Sequence, residues 1–269
     1  WKHWIIWPEA RYWLNERLEG PRLCVPPPIV QRKDGIYHPD FDRDVSKEEY
    51  LAHIDPSKPT VGLFFVGSHW IYRNLLHIDA LIRRTEAEGM NIIPVFFSVS
   101  TTKTDKSGST EANVRKYFMD GNRPRIDVLI VNSPFSQLVN SRDTEGIQTP
   151  DSENFYKFLT DVPVLQAMQI NGKFSDYEKT KEGLTKAELS SQVAWPEVDG
   201  QIITVPIAQS DGDNKRLRKL YPIDDRIDHI IRVAKNWASI RRKPAKDRRI
   251  AILMYQSRPD SGKIGNAAG

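Results

Sequence analysis

Short apolar runs alternate with segments of helical period from Thr60 onward. Nearly continuous apolar runs bounded by turn residues predict buried strands, whereas apolar residues at every third or fourth position predict helices. This alternation is typical of βαβ units. We therefore predict an α/β fold with a Rossmann- or flavodoxin-like, doubly wound and mostly parallel sheet. The predicted strands are Thr60–Val66, Asn91–Val99, Ile126–Val131, Val162–Met168, Gln201–Ile207 and Arg249–Tyr255.

Capping residues support the predicted helices. Asn74 is expected to cap the helix that follows the first strand, and Gly89 is expected to end it in a left-handed conformation. Ser46 and Thr185 each precede a glutamate by three residues, which is the spacing of a capping box. The other predicted helices are Ser46–His53, Ser109–Met119, Ser152–Leu159, Thr185–Ala194 and Asp225–Arg241.

The chain before Thr60 has a different character. Its start is rich in tryptophan, and residues 20–60 are rich in proline and polar residues and are expected to form loop. The chain opens without methionine and ends in an apparent loop, so we expect an internal fragment of a longer protein. The expected units are an aromatic-rich, irregular N-terminal helix and extended region over 1–59, an α/β domain over 60–210, a basic linker helix over 211–248 and the truncated start of a further α/β unit over 249–269.

Composition excludes several classes of protein. The 269 residues are 39% apolar with a mean hydropathy of −0.53, and no apolar run approaches the roughly 20 residues that cross a bilayer. No membrane partner is therefore expected. The single cysteine, Cys24, excludes an internal disulfide framework and favours a reducing, cytoplasmic location.

The formal net charge of +4 is unevenly distributed. Residues 214–249 hold 13 Lys and Arg against 4 Asp and Glu. Such a stretch can attract nucleic acid. The alternative is the solvated face of a helix, which the apolar stripe along Asp225–Arg241 favours, so no nucleic-acid partner is expected.

Candidate chemistry follows from the predicted sheet. Ligands of doubly wound sheets bind beyond the carboxyl ends of the strands, where the strand order reverses. If the first and third predicted strands flank that point, His69 faces Asn132 and Ser133 across a cleft. Imidazole can take a proton or ligate a metal near neutral pH, although a loop histidine bound to neighbouring backbone is the alternative. His77 is expected on the surface of its helix.

Two carboxylates precede the fifth predicted strand. Glu197 and Asp199 lie in an expected turn, where they are either proton acceptors or ordinary turn acids. The remaining histidines have no metal-ligand spacing, and one cysteine cannot build a cysteine-rich zinc site. Ser257 and Ile264 occupy positions where a phosphate-binding loop needs Gly and Ser or Thr, so no nucleotide hydrolysis is expected in this chain.

Four blocks of sequence carry a resemblance to a known family. They are Val61–Trp70 with Ile78–Ile82, Asp161–Ala167, Ala194–Ile203, and Arg249–Leu253 with Ile264–Gly269. Together they resemble the large subunit of the ATP-dependent metal chelatases, the family of cobaltochelatase (CobN-type) and the magnesium chelatase H subunit. Ser68-His69-Trp70 and the closing Gly-Asn-Ala-Ala-Gly resemble the cobalt branch. Trp195 departs from the small aliphatic residue that both the cobalt and the magnesium branch more often carry at this position.

The resemblance implies a ligase that forms nitrogen–metal bonds in cobalamin biosynthesis. Its large subunit binds a tetrapyrrole, hydrogenobyrinic acid a,c-diamide, and Co(II) is the substrate metal. Separate AAA+ ATPase subunits bind ATP and Mg, and this fragment alone is expected to be inactive. The alternatives are a magnesium chelatase H-type subunit for a porphyrin and a non-catalytic, small-ligand-binding α/β module.

The resemblance also implies roles for particular residues. Metal insertion strips water from the ion and removes protons from the ring, which an imidazole or a carboxylate can assist. His69 is the first candidate for this catalytic role and for transient metal binding, and Glu197 is the second. Arg73, Asn74 and Ser133 are the candidate substrate-binding residues. Helix-end solvation of Arg73 and capping by Asn74 are the alternatives.

Overall fold

A computed structural model describes residues 31–98, 110–135, 156, 159, 161–180, 183–210 and 218–251. The strands within these ranges are β1 Asp34–Ile36, β2 Thr60–Val66, β3 Asn91–Phe97, β4 Met119–Asp120, β5 Arg123–Pro124, β6 Val128–Asn132, β7 Val164–Ile170, β8 Ile202–Ser210 and β9 Leu220–Pro222. The helices are α1 Lys47–Leu51, α2 Gly67–Ile71, α3 Leu76–Ala87, α4 Thr110–Phe118, α5 Phe174–Lys179, α6 Lys186–Leu189, α7 Trp195–Val198 and α8 Asp224–Arg242, with a π-helical segment, Ser190–Ala194, between α6 and α7 and a 3₁₀ turn, Ala245–Asp247, after α8.

One mixed sheet organises these elements. Its strand order is β1-β3-β2-β6-β7-β8-β9, and the five inner strands are parallel. The edge strands β1 and β9 pair antiparallel with their neighbours β3 and β8, and β4 and β5 form a separate two-stranded ribbon. The chain runs from β2 to β3 on one side and returns to β6 on the other, so the strand order reverses between β2 and β6. The predicted α/β class with a mostly parallel sheet is confirmed.

Most predicted elements agree with the structure. The first strand has the predicted bounds, the next four lie within a few residues of theirs, and the helices predicted before β4 and after β9 are α4 and α8. Ser46 accepts from the Glu49 amide as an N-cap, and Thr185 forms the predicted capping box with Glu188. Residues 1–30 and most of the helix predicted over Ser152–Leu159 lie outside the described residues. Of the strand predicted over Arg249–Tyr255, the first three residues are described and do not form a strand, and the rest lies outside the described residues.

The loop expected over residues 20–60 is wrong at β1. Asp34-Gly35-Ile36 is too short and too polar for an apolar run, and it becomes a strand only by pairing with β3. Gly35 lies opposite Phe96, and a Cβ at this position would lie 2.8 Å from the Phe96 ring. The strand is therefore created by tertiary contact, which a local pattern does not contain.

Two apolar layers cover the sheet. The alternation along β2 buries Leu63 and Phe65 with α3 and α8 on one face, and Phe64 with α4 on the other. The apolar stripe of α8 is buried in the first layer, so the linker role expected within 211–248 is wrong for this helix. The residues of that stripe are Ile227, Ile230, Ile231, Ala234 and Ala238. Among the described helices, none has the length and apolar character that a bilayer crossing requires.

The end of α8 is held by a buried carboxylate. Asp127, 4% exposed, accepts hydrogen bonds from Arg241 at 3.1 Å, from Arg242 at 2.9 Å and from the amide of Thr60 at 2.9 Å. These contacts join α8 to the amino ends of β2 and β6. Two arginines of the basic stretch 214–249 thus form ion pairs with a buried carboxylate of the same fold.

Candidate functional site

The short helix α2 positions His69 at the carboxyl edge of the sheet. It begins at Gly67, directly after β2, and a Cβ on Gly67 would lie 2.9 Å from the carbonyl oxygen of Phe97 on β3. Only glycine allows the helix to start this close to the neighbouring strand. His69 therefore stands beside the point where the strand order reverses.

A chain of hydrogen bonds fixes the imidazole of His69. Asn132 donates from Nδ2 to the carbonyl oxygen of Ala167 at 2.8 Å, which leaves its Oδ1 as an acceptor. Gln169 donates from Nε2 to that oxygen at 3.1 Å, and the same nitrogen lies 2.8 Å from Nε2 of His69. Because an amide nitrogen only donates, Nε2 of His69 accepts, and the proton of the neutral ring lies on Nδ1.

His77 on α3 is the second histidine of the site. Its side chain is 0% exposed, so the expected surface position is wrong. It lies four residues before Leu81 on the buried face of α3, and its ring contacts that of His69 edge to face with centroids 4.8 Å apart. Neither ring nitrogen makes a hydrogen bond of ordinary geometry to another described residue.

Burial keeps both imidazoles neutral at physiological pH. It lowers the pKa of His69 to about 4. It also lowers the pKa of His77 to about 3, and the neighbouring His69 acts in the same direction, whereas the side chain of Asn132 raises it. A neutral imidazole can accept a proton or offer a lone pair to a metal ion.

Asn132 lies at the site as predicted, but it is linked to His69 indirectly, through the side chain of Gln169. Ser133 is 3% exposed, and its hydroxyl donates to the carbonyl oxygen of Pro134 at 3.2 Å. Its own carbonyl oxygen accepts from Gln166 at 3.1 Å. The predicted contact of the Ser133 hydroxyl with substrate therefore competes with a backbone contact. The bridging role of Gln169 was missed, although Asn132 and Gln169 are both polar residues near the ends of apolar strands.

The π-helical segment attaches the next helical layer to Gln169. Oε1 of Gln192 accepts from the main-chain amide of Gln169 at 2.9 Å, and Nε2 of Gln192 donates to the main-chain carbonyl of Gln169 at 2.7 Å. Insertions of this kind in helices are frequent at functional sites. The main chain that carries the Gln169 side chain is thus held from the helix side as well as within the sheet.

Asn74 has a structural task that differs from the predicted one. Its Nδ2 donates to the carbonyl of Arg218 at 2.8 Å, and its Oδ1 accepts from the amide of Leu220 at 2.9 Å. The N-cap of α3 is Leu75, with no side-chain hydrogen bond, so the predicted capping by Asn74 is wrong. Arg73 is exposed and has a left-handed backbone with φ of 55°.

Glu197 stands apart from the histidines. It lies on α7 rather than in the expected turn, and its side chain is exposed. Asp199 behind it is 0% exposed. The chain continues from α7 to the amino end of β8, whereas His69 follows the carboxyl end of β2. No contact between described residues joins Glu197 to His69.

The arrangement supports proton transfer more directly than resident metal binding. The described part of the chain contains no group of three or more His, Cys, Asp and Glu side chains placed to hold a metal ion. The Nε2 lone pair of His69 is engaged by Gln169, so binding of a metal there requires Gln169 to release it. The site therefore contains one neutral imidazole whose lone pair accepts a hydrogen bond from the side-chain amide of Gln169.

Comparison with known proteins gives a consistent result. The family described as CobN/Magnesium Chelatase matches residues 9–269. The aerobic cobaltochelatase subunit CobN of a Sinorhizobium species is 30% identical over 226 residues, which cover 78% of this chain and 16% of that protein. The chloroplastic magnesium-chelatase subunit ChlH of Oryza sativa subsp. indica is 26% identical over 272 residues, which cover 93% of this chain and 18% of the relative.

A solved structure has a similar fold. The catalytic subunit of cobaltochelatase from Mycobacterium tuberculosis matches with a TM-score of 0.61 and 20% identity, over 96% of this chain and 20% of that one. The chain spans about a fifth of the length of the curated relatives that it matches.

Proposed function

This chain belongs to the CobN/magnesium chelatase family, and we propose that it forms the proton-transfer part of a chelatase large subunit. In this role the subunit binds a tetrapyrrole and inserts a divalent metal ion, while separate AAA+ subunits hydrolyse ATP with Mg in the cytoplasm. The observation that carries the proposal is the neutral imidazole of His69, held at the reversal of strand order by Gln169 and Asn132.

The low pKa of His69 defines which proton it accepts. A base with a pKa of about 4 takes a proton only from a strongly acidic group. A pyrrole N–H becomes such a group once a divalent ion approaches the ring nitrogens, because the positive charge stabilises the anion. His69 then accepts the proton at Nε2, and the amide of Gln169 turns as Asn132 moves aside, so that the Gln169 oxygen accepts from the new N–H.

Cobalt is the metal that this site suits better. Imidazole nitrogen is a ligand of first-row transition metals, whereas Mg²⁺ prefers carboxylate, carbonyl and water oxygen. If an incoming ion binds Nε2 of His69 and then passes to the ring, which frees this nitrogen for the pyrrole proton, Co(II) gains a favourable donor and Mg²⁺ does not. The proposed macrocycle is accordingly hydrogenobyrinic acid a,c-diamide. The alternative, magnesium insertion into a porphyrin, rests on the similarity to magnesium-chelatase subunits.

Secondary roles are proposed for the other candidate residues. Exposed Arg73 is suited to a peripheral carboxylate of the ring through its planar guanidinium. Glu197 is a second proton acceptor only if the bound ring reaches α7. Ser133 and Asn74, whose polar atoms contact the backbone, support the shape of the site.

Binding of the two kinds of ring tests the proposal. The large subunit that contains this chain is titrated with hydrogenobyrinic acid a,c-diamide and with protoporphyrin IX, and the absorption of each ring is followed. Tighter binding of the corrin precursor is expected, and preference for the porphyrin would move the protein to the magnesium branch. If neither ring binds, the chelatase proposal is wrong and a non-catalytic module becomes the better account.

A further inference from the structure

Phe135 and Trp195 form an exposed aromatic pair. Phe135 lies three residues after the end of β6, and Trp195 is the first residue of α7. Their side chains are 46% and 43% exposed, and their ring centroids are 5.7 Å apart with an angle of 57° between the planes. Large aromatic side chains left together in water are unfavourable for folding and are typical of binding surfaces.

The pair is connected to the histidine site through the π-helical segment. The amide of Phe135 donates to the carbonyl oxygen of Ser191 at 2.6 Å. The next residue, Gln192, holds the main chain of Gln169 through two hydrogen bonds, and Gln169 contacts His69. One helical segment therefore contacts both Phe135 and the strand residue that contacts His69.

The backbone of Phe135 is strained. Its φ of 67° lies in the left-handed region, which is unfavourable for a bulky residue. A glycine would relieve the strain and would leave no ring beside Trp195. The hydrogen bond from the Phe135 amide to Ser191 holds this backbone in place, and the ring beside Trp195 remains half exposed.

We propose that Phe135 and Trp195 bind the conjugated face of the tetrapyrrole and so set the position of the ring relative to His69. This inference rests on the proposed function. The pair carries no charge, and the same helical stretch also exposes Leu189 and Val198. Such a surface recognises the flat apolar part of the macrocycle, whereas its peripheral carboxylates need cations or hydrogen-bond donors.

The test uses the large subunit that contains this chain and whichever of hydrogenobyrinic acid a,c-diamide or protoporphyrin IX the unsubstituted subunit binds. Trp195→Ala and Phe135→Ala are expected to raise Kd about tenfold, and Trp195→Phe, which keeps a ring, about threefold or less. Stacking also shifts the absorption band of the bound ring, and this shift is expected to shrink in Trp195→Ala. Ile240→Ala is the matched control, because it truncates another exposed apolar side chain, 49% exposed near the end of α8.

Metal insertion at saturating ring concentration separates positioning of the ring from chemistry. The substitutions are expected to raise KM and to change kcat little. The inference is overturned if Trp195→Ala and Phe135→Ala bind the ring as tightly as Ile240→Ala does. It is also overturned if they lower the stability of the subunit with Kd unchanged, because the pair then packs against another segment. If the unsubstituted subunit binds neither ring, the proposed function fails, and this inference fails with it.

Discussion

At the scale of single residues, Gln169 determines which nitrogen of His69 is available. Its amide donates at 2.8 Å to Nε2 of the imidazole and at 3.1 Å to Asn132, whose own amide is fixed by a backbone carbonyl. Turning Gln169 without moving Asn132 would bring two oxygen atoms together. The lone pair of His69 is thus masked, and turning Gln169 to expose it requires Asn132 to move as well.

Removing that amide is expected to make His69 a better metal ligand. In Gln169→Ala the Nε2 lone pair is released from a hydrogen bond worth about 1 kcal/mol, so the affinity for Co(II) without tetrapyrrole should rise roughly fivefold. Isothermal titration calorimetry measures this change. The double variant His69→Ala/Gln169→Ala should lose the gain, and His229→Ala, which removes an exposed histidine, should behave as the unsubstituted protein. An unchanged affinity in Gln169→Ala would contradict the masking.

The buried histidines are expected to make stability depend on pH. Between pH 6.5 and about 4, unfolded histidines bind protons, while His69 and His77, with pKa values of about 4 and about 3, stay neutral when folded. The free energy of unfolding therefore falls as pH falls through this window, by about 2 kcal/mol for each buried histidine between pH 7 and pH 5.

Replacing His77 isolates its share of this pH dependence. His77→Leu should be more stable than the unsubstituted protein at pH 5, because it removes the buried imidazole that resists protonation and two nitrogens without ordinary hydrogen bonds. Urea unfolding at pH 7 and pH 5 gives the difference, with His229→Leu as the exposed control. An equal fall in His77→Leu and in the unsubstituted protein would show that His77 is not the source.

At the scale of elements, the sequence pattern predicted what local apolar order determines. The strand over Thr60–Val66 was found from its nearly continuous apolar run, and the helix α8 from apolar residues at helical period. The strand β1 was not found, since it depends on pairing with β3. The segment Ser190–Ala194 was predicted as helix, but its π-helical form was not. His69 was found from its place after a strand, whereas burial of His77 and the bridge through Gln169 depend on how α3 and β7 pack.

The start of α2 is the element on which the site depends most closely. In Gly67→Ala the new Cβ meets the backbone oxygen of Phe97 at 2.9 Å, which a side-chain rotation cannot relieve. We expect a loss of about 1–3 kcal/mol in the free energy of unfolding and a displaced His69. Chemical denaturation and metal insertion should both register the change. Gly121→Ala, whose Cβ meets nothing within 4 Å but whose φ of 58° strains any side chain, should lower stability and leave insertion intact.

At the scale of the whole molecule, the two edges of the sheet have different tasks. The carboxyl edge holds His69, Asn132 and Gln169, whereas at the amino edge Asp127 forms ion pairs with α8. The amino edge also opens into a cleft of about 790 Å³ whose lining includes Asp127, Arg241 and Arg242. Since these groups pair with one another, we interpret this edge as stabilising the fold.

Asp127→Asn tests that division. It removes the charge shared by two arginines and weakens the contact with the Thr60 amide, so the free energy of unfolding should fall by about 2–3 kcal/mol. Ring binding at the carboxyl edge should be unchanged once the protein is folded. Asp42→Asn, at an exposed position, is the control and should alter neither quantity. A loss of ring binding in folded Asp127→Asn would place the ligand at the amino edge instead.

The most direct test of the whole account is a single-turnover metal insertion with His69→Ala. The large subunit containing this chain, loaded with its tetrapyrrole, is mixed with Co(II), ATP and the partner ATPase subunits, and the spectrum of the metallated ring is followed. We predict that His69→Ala binds the ring as tightly as the unsubstituted subunit but inserts cobalt about a hundredfold more slowly, with His229→Ala unaffected. Insertion at the unsubstituted rate by His69→Ala would contradict the account.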